Sequence, residues 1–315
     1  MFYRSKYFND TPSNGGVISS TSISSGVMNN VFPNVTSYER TNGIVRYRKI
    51  FLKNNNVSNI SLEQTKFYLS SINSGEDAFL FRTGTDTDTQ SDVTTSTDWL
   101  TTGKTTDVMI SGESSVQVSY KVSGEGVFSG EDVIIRITDG VNFDDLSLSG
   151  NPSWVGSNAT LNFISPVTHN YNTNSLVCSM KSLGDIKPTL SNWTITSASG
   201  TFDLDTYPII LYNLGTVSDD WTILFTSISA FSVSGALTGS VGTGTIYASF
   251  SPSNASSFYF LINKDGWGGT WQSGDRITFT TNHAAKAVWL KEVVPAGASS
   301  ISSNIQRICW EGEAI

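Results

Sequence analysis

The chain has 315 residues, of which 38% are hydrophobic, 11% aromatic and only 15% charged, with a formal net charge of −8. That apolar share can fill more than one core and excludes wholesale disorder, while the acidic balance excludes a surface made for phosphate backbones. No apolar run approaches the roughly 20 residues a helix needs to cross a bilayer, so neither nucleic acid nor membrane is an expected partner.

Taken in chain order, residues 1–40 are rich in Ser, Asn and Gly, with apolar residues scattered singly. They read as an extended N-terminal arm that cannot offset its own ordering entropy by burial, so it is either disordered or laid along a neighbour. The aromatics Phe2, Tyr3, Tyr7 and Phe8 favour docking on a neighbour. The opening MFYRSKYFND has no apolar signal region, which predicts synthesis in a cytoplasm without general secretory export.

Beyond the arm, helical periodicity is nearly absent and short alternating runs recur. Strands are predicted at 46–53, 66–70, 78–82, 116–122, 133–138, 159–164, 193–196, 221–226, 245–250, 258–262, 276–280 and 288–293. Turn pairs such as Ser74-Gly75, Asp139-Gly140 and Ser273-Gly274 separate them. This spacing predicts an all-β chain, an interrupted β-sandwich of immunoglobulin-like or jelly-roll-like type. The change of texture after Gly103 places its halves at 41–102 and 189–298, around an inserted small β-domain at 103–188. Residues 299–315 follow as a C-terminal strand or tail, with Trp310 suggesting pairing onto a sheet, its own or a neighbour's. Cys178 and Cys309, in different predicted units, are too few for a disulfide framework or a metal cage and are expected as reduced, buried thiols.

Candidate chemistry is sparse. Arg46, Arg48 and Lys49 form the one basic cluster, on a predicted strand, and read as a solvated or interface face. Asp86, Asp88 and Asp92 alternate along a Thr-rich loop in a pattern that can converge on Ca²⁺, although the loop lacks the glycine and the closing glutamate of an EF-hand. The pairs Asp144-Asp145 and Asp219-Asp220 point to opposite faces of a strand and cannot act together as acid and nucleophile. His169 and His283 have no ligand-spaced companions. Gly239–Gly244 is glycine-rich but no helix follows to present an N-terminus to phosphate, so it reads as a loop. Trp267 and Trp271 suggest a sugar-stacking platform, against which stands the commoner role of plugging a sandwich core.

Three segments carry a family resemblance: Phe32–Val35 with Glu39-Arg40 and Gly43–Asn54; Trp193–Ala198 with Thr206–Pro208; and the stretch Gly266–Gly297. Together they resemble a family of β-rich virion structural proteins of tailed bacteriophages and Mu-like prophages, over most of the chain. The resemblance implies a particle component with no enzymatic role and no cofactor, most of all at the neck, collar or tail. Its partners would be copies of itself and other virion proteins, in a symmetric homo-oligomer held by arm and strand exchange. It would reside in the virion after synthesis in the host cytoplasm. The alternatives are a receptor- or carbohydrate-binding virion surface protein, or a capsid decoration protein. A glycan depolymerase of β-helix type would need regular repeats, which are absent from the sequence.

Overall fold

The computed structural model describes residues 1–314. Strands take up 49% of the residues and helices 4%, so the fold is all-β, with several antiparallel sheets, as the alternation predicts. No helix is long and apolar enough to cross a membrane.

The chain divides into two compact units. The first contains Met1–Leu52, Glu63–Asp185 and Lys286–Glu313, and the second is built mainly from Lys53–Leu62 and Ile186–Ala285. The first opens with β1 (Phe2–Tyr7) and β2 (Gly15–Ser22), a short helix α1 (Ser37–Asn42), β3 (Ile44–Lys53), β4 (Leu62–Leu69), β5 (Ala78–Thr83) and a turn of helix α2 (Gln90–Val93). It continues through β6 (Thr102–Thr105), β7 (Ser115–Ser119), β8 (Val133–Thr138), β9 (Phe143–Leu146), β10 (Ser153–Val155), β11 (Asn158–Asn162) and β12 (Leu176–Ile186). The second holds β13 (Thr189–Thr196), β14 (Ser199–Phe202), β15 (Ile210–Leu211), β16 (Asp219–Phe225), β17 (Ala230–Gly235) and β18 (Gly239–Thr245). Then come β19 (Ser253–Asn254), β20 (Ser257–Phe258), β21 (Phe260–Leu261), β22 (Trp267–Thr270) and β23 (Arg276–Asn282). The chain finishes in the first unit with β24 (Ala285–Val294) and β25 (Ile308–Ala314). The expected terminal strand at 299–315 is thus β25, paired to β4 of its own chain; Ile315 lies outside the described residues.

The first unit has a five-stranded sheet in the order β2-β1-β3-β24-β5 and a nine-stranded one whose main path is β10-β11-β7-β6-β12-β4-β25. Aromatic side chains from both sheets meet: the Phe67 ring of β4 lies 4.9 Å from Phe81 of β5 and 5.9 Å from Phe2 of β1. Leu100 is fully buried and bridges both Phe81 and Gly126.

These pairings correct two expectations. Residues 1–40 are not a free arm, because β1 pairs with β3 through Phe2↔Leu52, Tyr3↔Phe51 and Arg4↔Ile50. The ordering entropy of the segment is offset by its own sheet, not by a neighbour's. The domain boundaries also move. Residues 103–185 belong with the N-terminal strands, because the long strand β12 pairs with β6, β8 and β4 and joins them in one sheet. It is 186–285 that form the second unit, so 41–102 and 189–298 are not halves of one sandwich. The thiols follow suit: Cys178 on β12 and Cys309 on β25 are free and lie in one sheet with β4 between them. Only Cys178 is fully buried.

In the second unit, the sheet β13-β23-β16-β17-β18 turns one face inward. Alternation along β16 sends Trp221, Ile223 and Phe225 into a core shared with Phe231, Val233, Ile277, Phe279, Phe202, Phe260 and Trp271. Gly239–Thr245, expected as a loop, is the edge strand β18 of that sheet. Gly244 is needed there, since a Cβ would come within 2.7 Å of the Phe231 ring.

Candidate functional site

The basic cluster on β3 is interior. Arg46, Arg48 and Lys49 are at most 4% exposed, which overturns the reading of a solvated or interface face. Each buried cation needs a partner, and the segment expected to be an arm supplies most of them. The capping box of α1, in which Thr36 N donates to the Glu39 carboxylate at 2.7 Å, sets Glu39 against Arg46. On its other side Arg46 Nη1 donates to Glu292 Oε2 of β24 at 3.1 Å. Burial pushes the Glu292 carboxyl up to about 7, against the opposing pull of the Arg46 guanidinium. Arg48 reaches Asp10 at 2.6 Å and packs beside the Phe8 and Phe32 rings. Phe8 therefore serves the interior rather than an interface. Phe2 and Tyr3 are half-buried in the β1 pairing and Tyr7 is exposed. Trp310 is half-buried on β25.

The acidic loop does not gather around a cation. Lys49 Nζ sits 2.5 Å from Asp88 Oδ1, and Trp289 Nε1 donates to Asp88 Oδ2 at 2.9 Å. Asp92 instead caps α2, accepting from Thr89 N at 2.7 Å. Two of the three candidates thus already hold the fold, with Asp86 acting on Lys49 at longer range. Among the described residues no group of three His, Cys, Asp or Glu side chains is placed to hold a metal ion.

Trp267 and Trp271 do not form a platform. Trp271 is 1% exposed and stacks on Phe225 with ring centroids 4.2 Å apart and an interplanar angle of 5°. Trp267 packs edge-on to Phe202, Phe225 and Trp271. A sugar could not reach either face without opening the core. The local glycines explain the fit, because a Cβ on Gly200 would come within 2.4 Å of the Trp271 ring.

A hydrogen-bonded cluster missed in the sequence surrounds Asp144 on β9. Its carboxylate accepts from Tyr171 Oη at 2.7 Å, Thr168 Oγ1 at 2.5 Å, Thr168 N at 3.1 Å and His169 N at 3.2 Å, with His169 Nδ1 3.3 Å away. Burial acts to raise this carboxyl, but the hydrogen bonds from Thr168, Tyr171 and the backbone outweigh it and hold it at about 2. Thr168 Oγ1 gives its proton to Asp144, so the trio lacks a free nucleophile. Asp145 turns to the other face and takes a two-pronged bond from Arg136, 2.7 Å on each prong, so the two carboxylates diverge.

What remains at the surface is the outer face of the five-stranded sheet in the second unit. One cross-strand row runs Thr194, Thr278, Thr222, Ser234, Ser240, a hydroxyl on every strand. Beside it run Thr196, Arg276, Leu224, Ser232 and Thr243. From Trp221 through Asn263 the chain carries no Asp, Glu, Lys, Arg or His, so β18, which has no outer partner among the described residues, is an uncharged edge. The sequence signal for it was the charge gap, not the alternation.

No family model and no curated protein matches the chain. Among solved structures, two crystal structures of the vicilin from Solanum melongena align over 95% of this chain, one at 8% identity over 85% of that protein and the other at 7% over 86%, each with a TM-score of 0.13. A likeness at that level carries no argument about fold or function.

Proposed function

We propose that the chain is a structural component of a tailed-bacteriophage virion, sited at the neck, collar or tail, and joined to copies of itself in a symmetric homo-oligomer. The observation that carries the assembly half of this reading is the uncharged open edge of β18 beside a flat hydroxyl face. Natural sheets block such edges with charges or proline, and β18 has neither. A chain of net charge −8 repels its own copies over most of its surface. The stretch without charge is where two copies can approach without that penalty, so strand addition there is the favoured contact. The particle itself is supported by the resemblance of Gly43–Asn54 and Gly266–Gly297 to virion structural proteins. Arm exchange is no part of the reading, because the arm is used within its own sheet.

Light scattering on the purified chain should give a closed oligomer, and Thr243→Lys on the exposed edge should shift it toward monomer with little change in melting temperature. An antibody to the chain should label tailed particles from the cells that make it, at the neck or tail; label on the head would favour decoration. A monomeric chain that never sediments with particles would overturn the proposal. Sugar binding, the other reading, has lost its platform with the burial of Trp267 and Trp271.

A further inference from the structure

The turn between β4 and β5 closes on a knot of polar groups that the assembly reading does not use. Asn73 and Asp77 are both buried. Asn73 Nδ2 donates to Asp77 Oδ1 at 2.9 Å and to the Asp77 carbonyl oxygen at 3.0 Å. Asn304, in the segment leading to β25, donates to the same Asp77 Oδ1 at 2.6 Å. Its own Oδ1 accepts from Asn73 Nδ2 at 3.1 Å and from Gly75 N at 2.8 Å, so the carboxamide of Asn73 is held in one orientation.

Lys121, two residues past the end of β7, enters this knot from the surface. The residue is exposed, yet its Nζ donates to Asn73 Oδ1 at 2.9 Å, Asn73 O at 2.7 Å, Asp77 O at 3.2 Å and the Gly75 carbonyl oxygen. The other oxygen of Asp77, Oδ2, is buried with no hydrogen-bond partner. A lysine serving only to staple the turn would be satisfied by carbonyl oxygens. Here an amine, a carboxamide and a carboxyl group stand in line within hydrogen-bond distance, with one carboxyl oxygen left over to carry a proton.

We propose that Lys121 and Asn73 join in an intramolecular isopeptide bond, with Asp77 as the proton carrier. The neutral amine Nζ adds to Cγ of Asn73, so the Nζ–Cγ bond forms. The Cγ–Nδ2 bond breaks and Nδ2 leaves as ammonia. One proton passes from Nζ to the Asp77 carboxyl group, which returns one to the departing Nδ2. The step is an exchange of amine for ammonia and needs no oxidant, metal or cofactor. Burial lowers the Lys121 pKa, with Asp77 opposing and Lys104 reinforcing, which raises the fraction of neutral amine. Fixed reactants within one hydrogen bond supply the proximity that a slow aminolysis otherwise lacks. The bond would tie the end of β7 to the turn by which the chain passes from one sheet of the first unit to the other. It is independent of how copies assemble.

Intact mass measurement of the purified full chain tests this. The expected result is a loss of about 17 Da, one ammonia, against the mass of the sequence. A tryptic digest should contain a branched peptide joining Asn73 to an uncleaved Lys121. Lys121→Arg and Asp77→Asn should each return the full mass in a chain with the same circular dichroism. A wild-type chain of full mass overturns the proposal, whatever the variants do. So does a loss of that size without the branched peptide, which would locate it in a succinimide elsewhere.

Discussion

Trp271 shows how a single residue type can point two ways. In the sequence it stands among glycines, where an exposed indole would stack on a sugar; in the structure the same glycines let the backbone close over it. Trp271→Ala should therefore cost about 3–5 kcal/mol of stability, read from the midpoint of a urea denaturation curve. A change below about 1 kcal/mol would mean the ring is not core. Asp144 makes a second prediction. Its folded pKa lies below the ordinary aspartate value, so its contribution is present above that value and is lost as the pH falls through the range from about 4 to about 2. The loss should be about 2 kcal/mol, and Asp144→Asn should remove most of this acid dependence in unfolding curves taken at pH 5 and pH 2.5. Neither partner of Asp144 was legible, since Thr168 and Tyr171 lie on a loop some 25 residues further along the chain.

At the scale of elements, β3 was read correctly as a strand and wrongly as a surface. Its run of buried residues from Arg46 to Leu52 includes three cations, and propensity cannot tell a solvated cation from one with an interior partner. Glu292 on β24 gives the check. Its folded pKa is raised, so the folded chain holds the proton more tightly than the unfolded one. Stability should fall as the pH rises from the usual glutamate value, about 4.3, toward about 7, which is opposite in sign to the Asp144 effect. Glu292→Gln should flatten that slope in thermal melts between pH 5 and pH 8; an unchanged slope would remove Glu292 as its source. The β14–β22 hairpin makes a conformational prediction. Gly269 has φ of +65° and a Cβ there would meet the Ser199 carbonyl oxygen at 1.8 Å. Gly269→Ala should therefore cost more than about 1 kcal/mol, measured by the shift in urea midpoint, and leave the oligomer intact.

At the scale of the whole molecule, the N-terminal segment distinguishes two kinds of assembly. If residues 1–22 bridged copies, deleting them would give stable monomers. Because β1 is the inner neighbour of β3 and Phe2 packs on Phe67, deletion should instead lower the melting temperature of each chain by several degrees, read by scanning calorimetry. An unchanged melting temperature with loss of the oligomer would restore the exchanged arm.

Alternation, turn pairs and composition were enough to determine an all-β chain of low charge, and most of its strands, because a two-residue period is local and survives in any tertiary setting. Which strands share a sheet was decided only in three dimensions. The strand β12 could pair with β4 as well as with β6 and β8 because strand pairing depends on register between distant segments, which no local pattern records. The same holds for the sites. The partners of Arg46, Arg48 and Lys49 lie up to 246 residues away, and the line of Lys121, Asn73 and Asp77 exists only because the β4–β5 turn folds against the end of β7.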